Sequence, residues 1–369
     1  MMDRFESVGV IVRTMMRPGV GGVLLFSLLI EFPRVLGAES TPVSNERVMA
    51  AAVRAVAFLS VEVESWRKEN GCYSCHNNGD AARALYVART KGFAISDVSI
   101  EATSGWLMHP ERWEDNQGDP GYSDKTLARV QFGAAALERF RSDPGAGIPL
   151  GKVAALVAEC QLPNGQWRLT GSQSIGSPAA YGDILMTHMA LETIQGAVGI
   201  GEGSKLLSGV HRAEEWLRKV PVRTVLDAAS ILLAVAGQTD SESRSQRELA
   251  LAIIRKGQAR SGGWGPYETA PPEVFDTALV VLALQNVPTD AGLRKRVWRA
   301  VEFLIAQQEP DGGWIETTRP SGNQSYAQRI STSGWATLAL LAGIDETVSS
   351  PKETKGAMRG AEVRPPAVR

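Results

Sequence analysis

Cys72-Tyr73-Ser74-Cys75-His76 is the stretch with the most chemistry in it. Two cysteines three apart, with a histidine directly after the second, form the attachment signature of c-type haem. At this spacing the two thiols reach the two vinyl groups of one porphyrin as thioethers, and the adjacent imidazole meets the iron as proximal ligand. Cys72 and Cys75 are therefore candidate haem c attachment residues, and His76 is the candidate iron ligand. The same residues admit a local Cys72–Cys75 disulfide, which an oxidising compartment permits, a zinc site, or chance. Zinc fits the spacing poorly: Cys75 and His76 are adjacent, and no second Cys/His pair follows at a suitable interval. Met108 and His109 are the nearest downstream candidates for a second iron ligand. Against them stands the plainer reading of a packed methionine and a solvated histidine.

Covalent haem is attached outside the cytoplasm, and the N-terminus carries an independent sign of export. Arg13 and Arg17 precede an apolar run from Val20 to Ile30, and the small residues Gly37 and Ala38 follow. That run has 11 residues, whereas crossing a bilayer takes about 20. Residues 1–38 thus read as a signal peptide, and the expected location is periplasmic or otherwise extracytoplasmic. Membrane contact is expected only through this segment, if it stays uncleaved. The net charge of −1 gives no sign of nucleic-acid binding. Residues 346–369 are polar and proline-bearing and read as a disordered tail.

The residues between form a repeat. Gln161-Leu162-Pro163-Asn164-Gly165-Gln166-Trp167, Gln258-Ala259-Arg260-Ser261-Gly262-Gly263-Trp264 and Gln308-Glu309-Pro310-Asp311-Gly312-Gly313-Trp314 share the form Gln-x-x-x-Gly-x-Trp. The glycine permits a left-handed turn after a helix, the tryptophan buries a large ring, and the glutamine can bond to backbone left open at a neighbouring helix end. Each turn joins an amphipathic outer helix to an inner helix that is apolar almost all round and therefore buried. Asp80, Asp183, Asp227 and Asp276 precede inner helices, with Thr332 in the same place in the last unit. They are expected to act as N-caps.

This motif resembles the QW repeat of the squalene and hopene cyclases, shared in looser form with the protein prenyltransferases. The resemblance spans roughly residues 46–345. It implies an all-α fold, an α/α toroid of about six helix pairs around a central cavity, with the haem motif in place of the first unit's turn. His188, Met186 and Met189 on the third inner helix are then candidates to face the cavity, with a hydrogen-bonded core histidine as the plainer reading of His188. Cys160 reads as a buried small hydrophobe, and His211 as solvated.

The resemblance also bears on activity. Pro272-Glu273-Val274-Phe275-Asp276-Thr277-Ala278 resembles the cyclase segment that carries Asp-x-Asp-Asp, whose middle aspartic acid protonates the isoprenoid double bond. Phe275 stands where that acid is expected, leaving Glu273 and Asp276 as weak catalytic candidates. The prenyltransferase zinc site needs an Asp-x-Cys pair, and no Asp-x-Cys occurs here. The leading reading is an exported toroid with covalent haem c, working in electron transfer or in redox chemistry on a cavity ligand. The alternatives are a catalytically silent toroid that binds a lipid, glycan or protein, and an isoprenoid cyclase with a displaced acid.

Overall fold

The computed structural model describes residues 44–115, 125–169, 181–198, 206–287, 290–316 and 325–344. The expected signal peptide and C-terminal tail lie outside them. Everything described falls in one unit, Ser40–Arg369, and among the described residues the regular structure is helical.

Among the described residues, six helices are sheathed by six others. The inner set is α2 (Ala82–Thr90), α4 (Lys125–Ser142), α6 (Gly182–Val198), α8 (Val225–Val235), α10 (Val274–Gln285) and α12 (Tyr326–Ala342). Each packs against the next, and α12 returns to α2 and to the π-helical turn Cys75–Ala81 that precedes it. The outer set is α1 (Asn45–Asn70), α3 (Asp97–Leu107), α5 (Leu150–Ala158), α7 (Leu207–Lys219), α9 (Ser241–Gly257) and α11 (Ala291–Ala306). Of these, α1, α5, α7 and α11 each bridge two inner helices. The ring is the expected α/α toroid.

Sequence explains the two layers. On α7 the buried residues Gly209, Val210, Ala213 and Leu217 make one stripe, the pattern of a helix with a single covered face. On α10 every residue from Val274 to Val281 is buried, because an inner helix has an outer helix behind it and inner neighbours on both flanks.

The three repeat turns are clasps of one design. Gln161 Nε2 donates to its own turn at Gly165 O (3.0 Å) and to Gly209 O on α7 (2.8 Å). Gln258 does the same to Gly262 O (2.7 Å) and Arg296 O on α11 (2.9 Å). Gln308 bonds Gly312 O (2.9 Å) and Ala51 O on α1 (3.0 Å), so the last clasp closes the ring onto the first helix. The glutamine thus grips the flank of the next outer helix rather than its unpaired end. Each tryptophan indole N–H donates at 2.8 Å to a carbonyl ten residues back, Val157, Ile254 or Leu304. Each tryptophan backbone N–H is taken by a hydroxyl of the following inner helix, Thr187, Thr277 or Ser333. The clasp glycines have φ of 99°, 103° and 96°, a region that L-residues avoid.

The expected capping pattern is corrected. The cap of α8 is Thr224, and Asp227 is the reciprocal member of its capping box. The cap of α12 is Ser325, which places Thr332 well inside the helix. Asp276 lies inside α10 and is fully buried, and Asp183 accepts from Leu169 N at 3.0 Å. Asp80 lies in the π-helical turn and bonds across the ring instead.

Candidate functional site

The haem-type motif sits where the first inner helix begins. Gly71, at φ 70°, ends α1, and Ser74 Oγ then accepts from Asn77 N at 3.0 Å to start the turn Cys75–Ala81. Two asparagines fix that turn. Asn77 Nδ2 donates to Glu62 O (2.9 Å) and to Tyr326 Oη (2.8 Å), and Asn78 Nδ2 donates to Thr103 Oγ1 (2.8 Å). Gly79 lets the turn press onto α4, since a Cβ there would stand 2.9 Å from Gln131 Cβ. Tyr73 stacks on Trp106 at 4.4 Å, which ties the motif to the end of α3.

His76 is enclosed. Its ring meets Trp66 edge-on at 5.0 Å and Tyr326 at 5.8 Å, and those two rings stack on each other at 5.5 Å. Neither ring nitrogen has a hydrogen-bond partner. Burial pushes its pKa down to about 3, so the imidazole is neutral, the form with a lone pair to give a metal. Cys72 is buried and Cys75 half-buried, and both carry thiols. The donor set thus fits haem c: two thiols at the attachment spacing beside a neutral imidazole with unmet nitrogens. Ligation requires the Trp66–Tyr326 pair to part from the ring edge. For zinc, no group of three His, Cys, Asp or Glu side chains able to hold a metal ion is present among the described residues.

The other predicted residues separate. Met108 is exposed rather than packed, and the His109 Nδ1 lies 3.0 Å from Glu111 in solvent. His211 is exposed as expected. Met186 and Met189 are fully buried. His188 is nearly buried, with Nε2 3.7 Å from Glu192 Oε2. Cys160 is half-buried and packed against the core, with its Sγ 3.1 Å from Arg129 Nη1. Glu273 is the N-cap position of α10, without a side-chain cap bond.

Asp80 is the residue that the sequence reading missed. Tyr181 Oη donates to its Oδ1, and Gln131 Nε2 donates to its Oδ2 at 2.7 Å. Trp335 Nε1 in turn donates to Tyr181 Oη at 2.9 Å. Phe275, Tyr181 and Trp335 form a triangle of rings with centroids 5.8–5.9 Å apart. Burial raises the Asp80 pKa to about 6, against the pull of its hydrogen-bond donors and the nearby Arg83. The carboxyl is therefore a weak acid attached to an aromatic cluster. Its sequence signal was position alone, one helical turn beyond His76.

Residues 208–359 match the squalene-hopene cyclase C-terminal domain. No curated protein matches the chain at a significant level. Among solved structures, a type II terpene cyclase, MstE from Scytonema, superposes with a TM-score of 0.54 at 15% identity, over 82% of this chain and 100% of that one. An unsaturated glucuronyl hydrolase from Streptococcus agalactiae superposes with a TM-score of 0.55 at 10% identity, over 83% and 94% of the two chains. Two chemistries on one scaffold mean that activity has to be argued from the site. The chain is an α/α toroid of terpene cyclase-like fold, and its residues 208–359 are similar to the squalene-hopene cyclase C-terminal domain.

Proposed function

We propose that this is an exported toroid protein that carries haem c on Cys72 and Cys75, with His76 as proximal ligand, and acts in electron transfer or in redox chemistry on a ligand within the ring. The observation that carries the reading is His76, a buried imidazole with both nitrogens unpartnered, inside Cys-x-x-Cys-His. An unmet buried donor or acceptor costs about 1–3 kcal/mol, and a bond to iron would satisfy one of the two. Haem held there would supply one-electron chemistry at its iron. Asn77 and Asn78 hold the turn that presents the histidine, and Trp66 and Tyr326 shield it from water. Met108 and His109 follow α3, whose Trp106 stacks on Tyr73 of the motif, and they stand as the proposed sources of a second ligand.

The test is expression with the leader in a host with active cytochrome c maturation, followed by haem staining of a denaturing gel and a pyridine haemochrome spectrum. A covalent signal is expected in the wild type and none in Cys72→Ala/Cys75→Ala. A wild type without covalent haem overturns the reading.

Asp80 favours a second reading, a protonating enzyme with its acid displaced from the Glu273–Asp276 segment. Below about pH 6 the Asp80 carboxyl holds a proton that it can hand to an alkene carbon, leaving the carboxylate that Tyr181 and Gln131 hydrogen-bond, while the rings around Tyr181 stabilise the resulting cation. Incubation with squalene and with geranylgeranyl compounds decides it. Turnover that is lost in Asp80→Asn but kept in Glu273→Gln supports it, and no turnover by the wild type refutes it.

A further inference from the structure

Inner helices are covered behind and on both flanks, so any face of theirs that stays open looks toward the ring axis. Residues that meet across the ring identify that face. Asp80, Tyr181, Phe275 and Trp335 form one chain of contacts from four separate segments, the π-helical turn, the residue before α6, α10 and α12. Arg83 and Val87 stand one and two turns beyond Asp80, His188 and Glu192 two and three turns beyond Tyr181, and Leu282 two turns beyond Phe275, at helical spacing. Arg83, Val87, Glu192 and Leu282 are all half-exposed, as are Leu226 and Leu233 on α8. Open positions at this register are those of a lined interior, polar at one point and apolar elsewhere.

The polar point is incomplete. The Arg83 guanidinium lies 5.0 Å above the Trp335 ring. Its nearest carboxylate oxygen, Glu192 Oε2, is 3.9 Å away, beyond hydrogen-bond reach. Arg83 Nε and Nη1 are buried and have no partner. An arginine with unmade hydrogen bonds, stacked on an indole at the edge of an apolar lining, is a receptor for an anion. Glu192 limits the charge that the point accepts, since a dianion would face a carboxylate with only one guanidinium to balance it.

We propose that the ring interior binds a carboxylate-headed amphiphile, its head on Arg83 over Trp335 and its apolar body along Val87, Leu226, Leu233 and Leu282. Arg83 turns its unpaired N–H groups to the ligand head, which replaces Glu192 as the nearest carboxylate. This site does not depend on haem, because none of its residues belongs to the Cys72–His76 motif.

Calorimetric titration of the full chain with decanoate, and with decanol as the uncharged match, tests the proposal. Decanoate is expected to bind at least about tenfold tighter than decanol, the worth of a charge-assisted hydrogen bond. Arg83→Gln should weaken decanoate about tenfold and leave decanol unchanged, which also serves as its folding control. Glu192→Gln should tighten decanoate, and Cys72→Ala/Cys75→Ala should bind it as the wild type does. Equal affinity for acid and alcohol, binding of neither, or an unchanged decanoate affinity in Arg83→Gln overturns the proposal. Should Arg83→Gln not fold, the acid–alcohol comparison on the wild type, with Arg83→Lys expected to keep part of the preference, decides alone.

Discussion

The last clasp makes the ring a ring, and Gly312→Ala tests it. Gly312 has φ 96°, and a Cβ there would lie 2.4 Å from the carbonyl oxygen of Arg54 on α1 and 2.8 Å from its carbonyl carbon. The left-handed backbone alone costs an L-residue about 1–2 kcal/mol. The contact atoms are main chain, so relief requires the turn to move off α1, which adds about 1–3 kcal/mol. That movement also loosens the Gln308 bond to Ala51 O. The expected loss is about 2–5 kcal/mol. Gly92 is the control: its φ is 83°, but nothing lies within 4 Å of the added atom. Gly92→Ala should therefore cost only the backbone term, about 1–2 kcal/mol. Gly165→Ala, with its Cβ 2.2 Å from Arg212 O, should match Gly312→Ala. Urea unfolding followed by far-UV circular dichroism reads all three. Equal losses at Gly312 and Gly92 would refute the close-approach argument. A large loss at Gly165 with a small one at Gly312 would mean that the seam between α1 and the last unit is not closed as described.

Three further outcomes follow from the interior. The Asp80 pKa rises from its ordinary 3.8 to about 6 on folding, so the folded state holds the proton more tightly; this contribution is full below about pH 4 and is lost as pH rises through 6. The stability change between pH 4 and pH 7 should shrink by about 2 kcal/mol in Asp80→Asn, and urea midpoints that shift with pH alike in both proteins would contradict it. Tyr181→Phe removes the acceptor of the buried Trp335 N–H and a donor to Asp80, and should cost about 1–3 kcal/mol in the same assay; a change within about 0.5 kcal/mol would mean that the network is not formed. In haem-free protein, His76→Phe keeps a ring against Trp66 and Tyr326 while deleting two unmet nitrogens, so stability should hold or rise by about 1 kcal/mol. In haem-loaded protein the same change should shift the Soret band through loss of the proximal ligand.

The fold was legible because its signal is local and repeated. Gln-x-x-x-Gly-x-Trp specifies a turn whose glycine, glutamine and tryptophan each have a short-range duty, and the structure repeats those duties bond for bond at Trp167, Trp264 and Trp314. The second layer of the clasp, Thr187, Thr277 and Ser333, was not legible, since nothing near a hydroxyl on an inner helix marks it as the partner of a tryptophan backbone 13–20 residues away. The capping pattern failed for a related reason. An aspartate a few residues before an apolar run can be the cap or the third residue of the helix, and Asp227 takes the latter place because Thr224 supplies the cap. Asp80 was misread because its partners arrive only on ring closure: Gln131 is 51 residues away and Tyr181 is 101.

The first unit departs from the repeat in its backbone as well as its sequence. Where the other clasps turn, Cys75–Ala81 winds as a π-helix, a wide and uncommon turn found mostly at functional positions. Its extra residue changes which side chains share a face. His76 is carried against Trp66 and Tyr326, and Asp80 is carried inward to Tyr181 and Gln131 instead of capping α2. Both candidate chemistries, the haem-type motif and the weak acid, thus depend on the same seven-residue turn. Asn77 and Asn78 hold that turn by side-chain bonds to α1, α3 and α12. An ordinary α-helical start would have needed none of these bonds. Their presence argues that the departure is built into the sequence.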